Sequence, residues 1–269
     1  MKVEPVEVAD DVFFVGTRLV NWVLLVDGKS VTLVDTGYPG QFDDVLSSIR
    51  SIGRDPREVE AILITHAHID HLGGALSFTK QYNTPVYLHR DELEHARREA
   101  HYGLSPIGVI KNLWRPGVLP WIVSALPVGV AVRAGLADPL ELPGDRALDL
   151  PGGPVPVPTA GHTPGHTMYL LPRAKVLISG DGLVTGHPTS RLDGPQLLPA
   201  MFDDDREGAA RMLGSLVGLD AEVILPGHGA VHRGPVGAAA TMAQNRSGVA
   251  GTPAHPGPAN GSTPPGNIV

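Results

Sequence analysis

Thr65-His66-Ala67-His68-Ile69-Asp70-His71-Leu72-Gly73-Gly74 is the stretch from which the rest of the chain can be read. Just before it, Ala61 to Ile64 is a fully apolar run, as a buried strand requires. Just after it, Ala75 to Tyr82 has helical spacing. The histidines therefore sit where a strand hands over to a loop, the usual place for reactive side chains on a rigid frame. In an extended chain alternate side chains share a side, so His66, His68 and Asp70 are expected to converge, with His71 reaching in where the chain turns. Three imidazoles and a carboxylate within six residues form a donor set suited to zinc, iron or manganese. A polar loop whose histidines only cap or solvate would account for one of them, but not for four clustered ligand types.

Outward from this segment, short β-branched runs predict strands at Val12 to Gly16, Val20 to Val26 and Val31 to Asp35. Asp27-Gly28 and Gly37 mark their turns, as antiparallel hairpins require. Phe42, Val45, Leu46 and Ile49 predict a helix over Phe42 to Ile52, stopped by Gly53, and Val86 to Leu88 reads as a strand. Residues 90 to 136 differ: a charged helix over Arg90 to Ala100, then an apolar segment from Pro106 to Leu136 with Trp114 and Trp121. This segment is read as a buried or substrate-covering helical insert. Pro120, Pro127 and Arg133 make it a poor membrane span. Strands return at Val155 to Val157, Met168 to Leu171, Val176 to Ser179 and Ala221 to Leu225, with a helix expected over Asp204 to Leu219. The alternation implies an α/β sandwich, helices covering sheets. One domain is expected over 1–247, the insert occupying about 90–136, followed by a disordered Gly/Pro-rich tail over 248–269.

Three later positions repeat the opening theme. Ala160-Gly161-His162-Thr163-Pro164-Gly165-His166 sets a histidine in a Gly/Pro loop after a strand. Ile178-Ser179-Gly180-Asp181 ends an apolar strand on a carboxylate, and Leu225-Pro226-Gly227-His228 ends another on a histidine.

Composition removes several alternatives. The 269 residues, 42% of them hydrophobic, are enough for a substantial core. There is no cysteine, which excludes disulfides, thiolate ligands and a cysteine nucleophile, and fits a cytoplasmic location. The formal charge of −7 and the lack of a Lys/Arg-rich run argue against nucleic acid as a partner. Met1-Lys2-Val3-Glu4-Pro5 does not lead into an apolar run, so no signal peptide is expected.

These motifs together resemble the metallo-β-lactamase superfamily over about residues 10 to 235, in particular its branch with glyoxalase II and the zinc lactonases. The resemblance implies an αββα sandwich of two mixed sheets flanked by helices. It also implies two metal ions, most simply zinc with iron or manganese as alternatives: one held by His66, His68 and His162, the other by Asp70, His71 and His228, with Asp181 bridging. Val34-Asp35-Thr36-Gly37 matches the family's early strand, whose aspartate supports the metal loops. The reaction implied is hydrolysis of a small ester, thioester or lactone by a hydroxide shared between the metals. Asp70 would orient it and pass a proton to the leaving group.

The chain departs from glyoxalase II in having a Gly/Pro-rich tail where that enzyme carries a helical, glutathione-binding region, which counts against glutathione thioesters. It lacks the cysteine ligand of one zinc β-lactamase class. Other readings of the fold are a mononuclear iron oxidoreductase like the persulfide dioxygenases, and a phosphodiesterase or nuclease. A homodimer is compatible with the sequence. His166 reads as a supporting residue, His187 as a loop residue or a substrate contact. His89, His95, His101, His232 and His255 read as surface residues, and Trp114 and Trp121 as helix packing or the wall of an apolar pocket.

Overall fold

The computed structural model describes residues 3–249, so the tail expected from 248 onward lies almost wholly outside the described residues. The chain opens with β1 (Val6–Ala9), β2 (Val12–Val15), β3 (Trp22–Asp27) and β4 (Ser30–Val34), paired antiparallel in succession. Helix α1 (Phe42–Ser51) crosses over to β5 (Val59–Leu63), which lies parallel to β4. The single turn α2 (Ile69–Leu72) and α3 (Ala75–Tyr82) return to β6 (Val86–Leu88), parallel to β5. After α4 (Leu93–Arg97), α5 (Pro106–Asn112) and α6 (Val118–Ala125), the two-residue β7 (Leu140–Glu141) closes a seven-stranded mixed sheet in sequential order. The second half holds β8 (Val155–Pro158), β9 (Thr167–Leu171), β10 (Val176–Gly180), α7 (Arg206–Met212), β11 (Val223–Pro226), β12 (His232–Arg233) and α8 (Val236–Ser247). Its five strands are ordered β12-β11-β10-β9-β8, with β10 and β11 parallel.

Period-two side-chain alternation stacks these elements in four layers. On β3, Trp22, Leu24 and Val26 pack under α1 and α3 with Val45, Ile49 and Phe78, while Val23 and Leu25 face the other sheet. On β10 and β11, Val176, Ile178, Val223 and Leu225 meet them from the second sheet, and Leu177 and Ile224 turn outward onto α7 and α8. The result is the expected αββα sandwich. Cross-sheet bonds lock the two halves at one edge: Tyr169 Oη donates to the Ile64 carbonyl (3.0 Å), and Asn21 Nδ2 donates to the carbonyls of Pro226 and Gly229 (2.9 Å each).

Several expectations need correction. Strands β1, β7 and β12 and helix α8 have no counterpart in the sequence reading. Helix α8 buries Val236 and three alanines, too faint a stripe to stand out. The helix expected over Asp204–Leu219 starts at Arg206, because the Asp205 carboxylate accepts the Gly208 N–H as an N-cap, and it tightens into a 3₁₀ turn from Leu213. The charged helix over 90–100 is a 3₁₀ turn followed by α4, stopped where Arg98 takes φ +67°. The insert is only partly buried. Helix α6 buries Val118, Trp121 and Ala125, and α5 buries nothing.

Candidate metal centre

Every candidate donor lies just beyond the C-terminal end of a strand or on α2. His66 and His68 follow β5, His162 follows β8, Asp181 follows β10 and His228 follows β11. Two groups form. His66 Nε2, His68 Nδ1 and His162 Nε2 lie 2.9, 3.1 and 3.2 Å from one another. Nitrogens on a tetrahedral zinc at bond lengths of about 2.0–2.1 Å would stand roughly 3.3 Å apart, so this trio has the spacing a zinc requires. The second group joins His71 Nε2 to Asp70 Oδ2 (3.9 Å) and His228 Nε2 to the same oxygen (3.5 Å). Asp181 lies between the groups: one oxygen is 3.3 Å from His71 Nε2, the other 3.2 Å from His228 Nε2 and 3.6 Å from His162 Nε2. The extended-chain expectation holds for His66 and His68 only. The chain turns helical at Ile69, which carries Asp70 to His71 and His228 instead.

The outward-facing nitrogen of each imidazole is already engaged, which decides where its lone pair points. A carbonyl or carboxylate only accepts, so the ring nitrogen facing it carries the proton. His68 Nε2–H donates to the Tyr102 carbonyl (3.2 Å) and His228 Nδ1–H to the Leu19 carbonyl (2.5 Å). His71 Nδ1–H donates to Asp35 Oδ2 (2.8 Å) and His162 Nδ1–H to Asp203 Oδ1 (3.1 Å). His66 Nδ1–H donates to Thr65 Oγ1 (3.1 Å), whose hydroxyl passes the bond on to Asp35 Oδ2 (2.8 Å). The second nitrogen of all five rings therefore faces the interior of the site, where it can give a lone pair to a cation. Among the described residues, His71 Nε2 and Asp181 Oδ1 are buried with no hydrogen-bond partner, a costly arrangement that a cation between them relieves.

Charge gives the same answer. Burial first, then the neighbouring imidazoles, hold His66 and His68 well below the ordinary histidine range. Burial also opposes charge on His228 and His71, but the carboxylates outweigh it. Asp181 and Asp70 lift His228 to about 9, and Asp181, Asp35 and Asp70 lift His71 well above its usual value. Asp70 and Asp181 are held below the ordinary carboxylate range despite their burial, by His71 and His228. The site thus collects positive charge around its carboxylates, as protons when no metal is bound.

Residues outside the sequence reading hold the loops. Glu92 is fully buried; its carboxylate accepts from Ala67 N (2.8 Å) and Gly165 N (2.9 Å), so one side chain ties the first histidine loop to the His162 loop. Burial pushes its carboxyl up, but hydrogen bonds from His95 and the Ala67 backbone prevail and leave it at about 2. His95, expected on the surface, is buried against Glu92 and the His68 ring. Tyr38 is buried too. Desolvation and then Asp70 and Asp181 push its hydroxyl up, so it stays neutral beside the carboxylates. A charged helix and an isolated tyrosine carry no local pattern that predicts such partners. Asp203 lay inside a visible acidic run, Asp203-Asp204-Asp205, that helix capping explains for Asp205 alone.

His166 supports the site without joining it: Nδ1 pairs with Thr159 Oγ1, and Nε2 accepts from Asp181 N (3.2 Å) and Gly182 N (3.1 Å). At Gly227 a Cβ would stand 2.3 Å from Asp181 Oδ1, so only glycine lets that strand end approach the carboxylate. A cleft of about 390 Å³ opens beside His228, lined by Arg18, Trp121 and His187 among others. Trp114 does not line it and stands 80% exposed.

Comparison with known proteins agrees with the geometry. The profile of the metallo-beta-lactamase superfamily matches residues 15–228, and the chain belongs to that superfamily. It is 27% identical over 211 residues to the probable metallo-hydrolase YflN of Bacillus subtilis, covering 74% of this chain and 75% of that protein. An N-acyl homoserine lactonase of a Bacillus species is 27% identical over 143 residues, 53% of this chain and 44% of that enzyme. The crystal structure of a metallo-beta-lactamase family protein from Thermus thermophilus superposes with a TM-score of 0.58 at 25% identity, covering 84% of this chain and 74% of that one.

Two outcomes follow for the metal-free protein. His228, lifted to about 9, holds its proton there and His71 is raised in the same sense, so zinc uptake at pH 7.5 should release at least one proton per chain, and affinity should fall as pH drops. Titration calorimetry in buffers of differing ionisation enthalpy reads this; uptake without proton release would contradict it. The linked stability has the opposite sense. Because the folded-state value of His228, about 9, lies above the ordinary 6.5, its contribution is complete below pH 6.5 and is lost as pH rises through 9. Second, Glu92→Gln places an NH₂ donor against one of two backbone N–H groups. It should lower stability by about 1–3 kcal/mol and weaken zinc retention, measured by urea unfolding and chelator competition. Unchanged values in both would show that the clamp is idle.

Proposed function

We propose that this chain is a dinuclear metal-dependent hydrolase, most simply a zinc enzyme, acting on a small ester, thioester or lactone. The observation that carries this reading is the set of five imidazole nitrogens and two carboxylates turned into one buried site, every outer nitrogen already engaged. In this reading His66, His68 and His162 hold one metal ion, Asp70, His71 and His228 the other, and Asp181 touches both. Bound there, two cations supply a water of lowered pKa and polarise a carbonyl.

The protein's own side chains do the rest. Asp70 is the more open of the two site carboxylates, its side chain 16% exposed against 3% for Asp181. It can therefore hold the proton of the attacking water and pass it to the leaving oxygen or sulfur. Trp121 packs edge-on against Phe202 and forms an apolar wall of the cleft. His187 accepts the Thr189 N–H at Nδ1, which leaves its Nε2–H as a donor. Burial and then His228 hold that ring at about 3, so it stays neutral. A neutral donor beside an apolar wall suits an uncharged acyl group or lactone ring. The lactonase among the relatives supports the same choice. The complete second donor group counts against the single-iron oxidoreductase reading, which would leave those residues without a task.

Zinc-loaded protein screened against esters, thioesters, lactones, phosphodiesters and β-lactams should turn over a member of the first three classes. On that substrate Asp70→Asn should lower kcat by about 100-fold or more. Oxygen consumption with a single bound iron, or turnover of phosphodiesters alone, would replace this reading.

A further inference from the structure

The insert carries a surface that the metal site does not explain. On α5, Ile107 and Ile110 are each 67% exposed, and Trp114 projects from the turn beyond at 80%. On α6 and at its C-cap, Leu119, Val123 and Leu126 follow i, i+4, i+7 spacing on the side opposite the buried Val118, Trp121 and Ala125. Large apolar side chains concentrated in this way mark a docking surface rather than ordinary scatter.

The charges around them specify the occupant. Between Glu99 and Asp138 the chain has Lys111, Arg115 and Arg133 and no acidic residue, although the whole protein carries −7. None of the three cations makes an ion pair among the described residues, where the Lys and Arg pairs involve Arg57, Arg90, Lys175, Arg206 and Arg211. The Arg115 guanidinium lies 5.9 Å from the Trp114 ring centre, a cationic head beside an aromatic body. Two copies meeting through this face about a two-fold axis would set like charges against each other with no carboxylate of the insert to offset them. The surface of an anionic phospholipid bilayer meets both needs: acyl chains for Ile, Leu and Trp, phosphates for Lys and Arg.

We propose that the α5–α6 insert is a peripheral docking surface for anionic lipid bilayers. Among the described residues no helix is long and apolar enough to cross a membrane, so the insert lies on the surface. The inner side of α6 lines the cleft through Pro120, Trp121 and Ser124, so docking brings the cleft beside the lipid. Binding does not depend on the proposed hydrolysis.

The test uses the full chain with vesicles of phosphatidylcholine alone or mixed with phosphatidylglycerol, read by flotation and tryptophan emission. The expected result is co-flotation and a blue shift with the mixed vesicles only, weakening as salt rises. Each of Lys111→Gln, Arg115→Gln and Arg133→Gln should weaken partitioning about fivefold. Ile110→Asp and Trp114→Asp should abolish it with melting temperature unchanged, since both side chains are exposed. No binding to the mixed vesicles at low salt would overturn the proposal. So would a concentration-dependent dimer that Ile110→Asp dissociates, because the face would then belong to a second copy.

Discussion

The carboxylate of Asp35 is the contact on which the site's geometry turns. It takes three hydrogen bonds, from Thr65 N, Thr65 Oγ1 and His71 Nδ1, each 2.8 Å long. Two of these set imidazole orientation: directly for His71, and through the threonine hydroxyl for His66. Asp35 does this from the end of β4 with φ +61°, a conformation that aspartate tolerates better than most residues. The left-handed turn swings the carboxylate toward the neighbouring parallel strand β5, where the histidine motif begins. Parallel pairing of β4 and β5 is thus what allows one buried acid to hold two candidate donors in place.

Around this hub the molecule keeps negative charge out of water. Asp35, Asp70 and Asp181 lie close together, and such a group persists only with opposite charge nearby. Raised affinity for protons at His71 and His228 is one answer, and bound metal is the other. The surrounding loops are tied to one another by hydrogen bonds. Glu92 joins two of them, His166 anchors the Asp181 turn, and Asn21 ties the first sheet to the His228 loop.

The sequence was most legible where chemistry is local. His66, His68, Asp70 and His71 lie within six residues, and His162, Asp181 and His228 each follow an apolar run, so strand ends and donors could be read together. The sandwich was legible from the order in which apolar strand runs and helical spacings follow one another, whereas its division into layers along β3, β10 and β11 is seen only in the structure, since those strands are apolar almost throughout. What could not be read depends on long-range partners. Glu92 looked like one charge on a charged helix, and only the fold brings it to Ala67 and Gly165. His95 looked like surface until its neighbours buried it. The turn at Ile69 overrode strand alternation and moved Asp70 to the other donor group. Trp114 and Trp121, alike in sequence, face opposite ways because only one lies on the inner side of α6.

The central claim is that two cations occupy this one buried site. Crystals of zinc-loaded protein measured at the zinc absorption edge test it most directly. Two anomalous peaks are expected about 3.5–4 Å apart, one among His66, His68 and His162 and one among Asp70, His71 and His228, with Asp181 between them. A single peak after full zinc loading, or two peaks lying outside these residues, would contradict it.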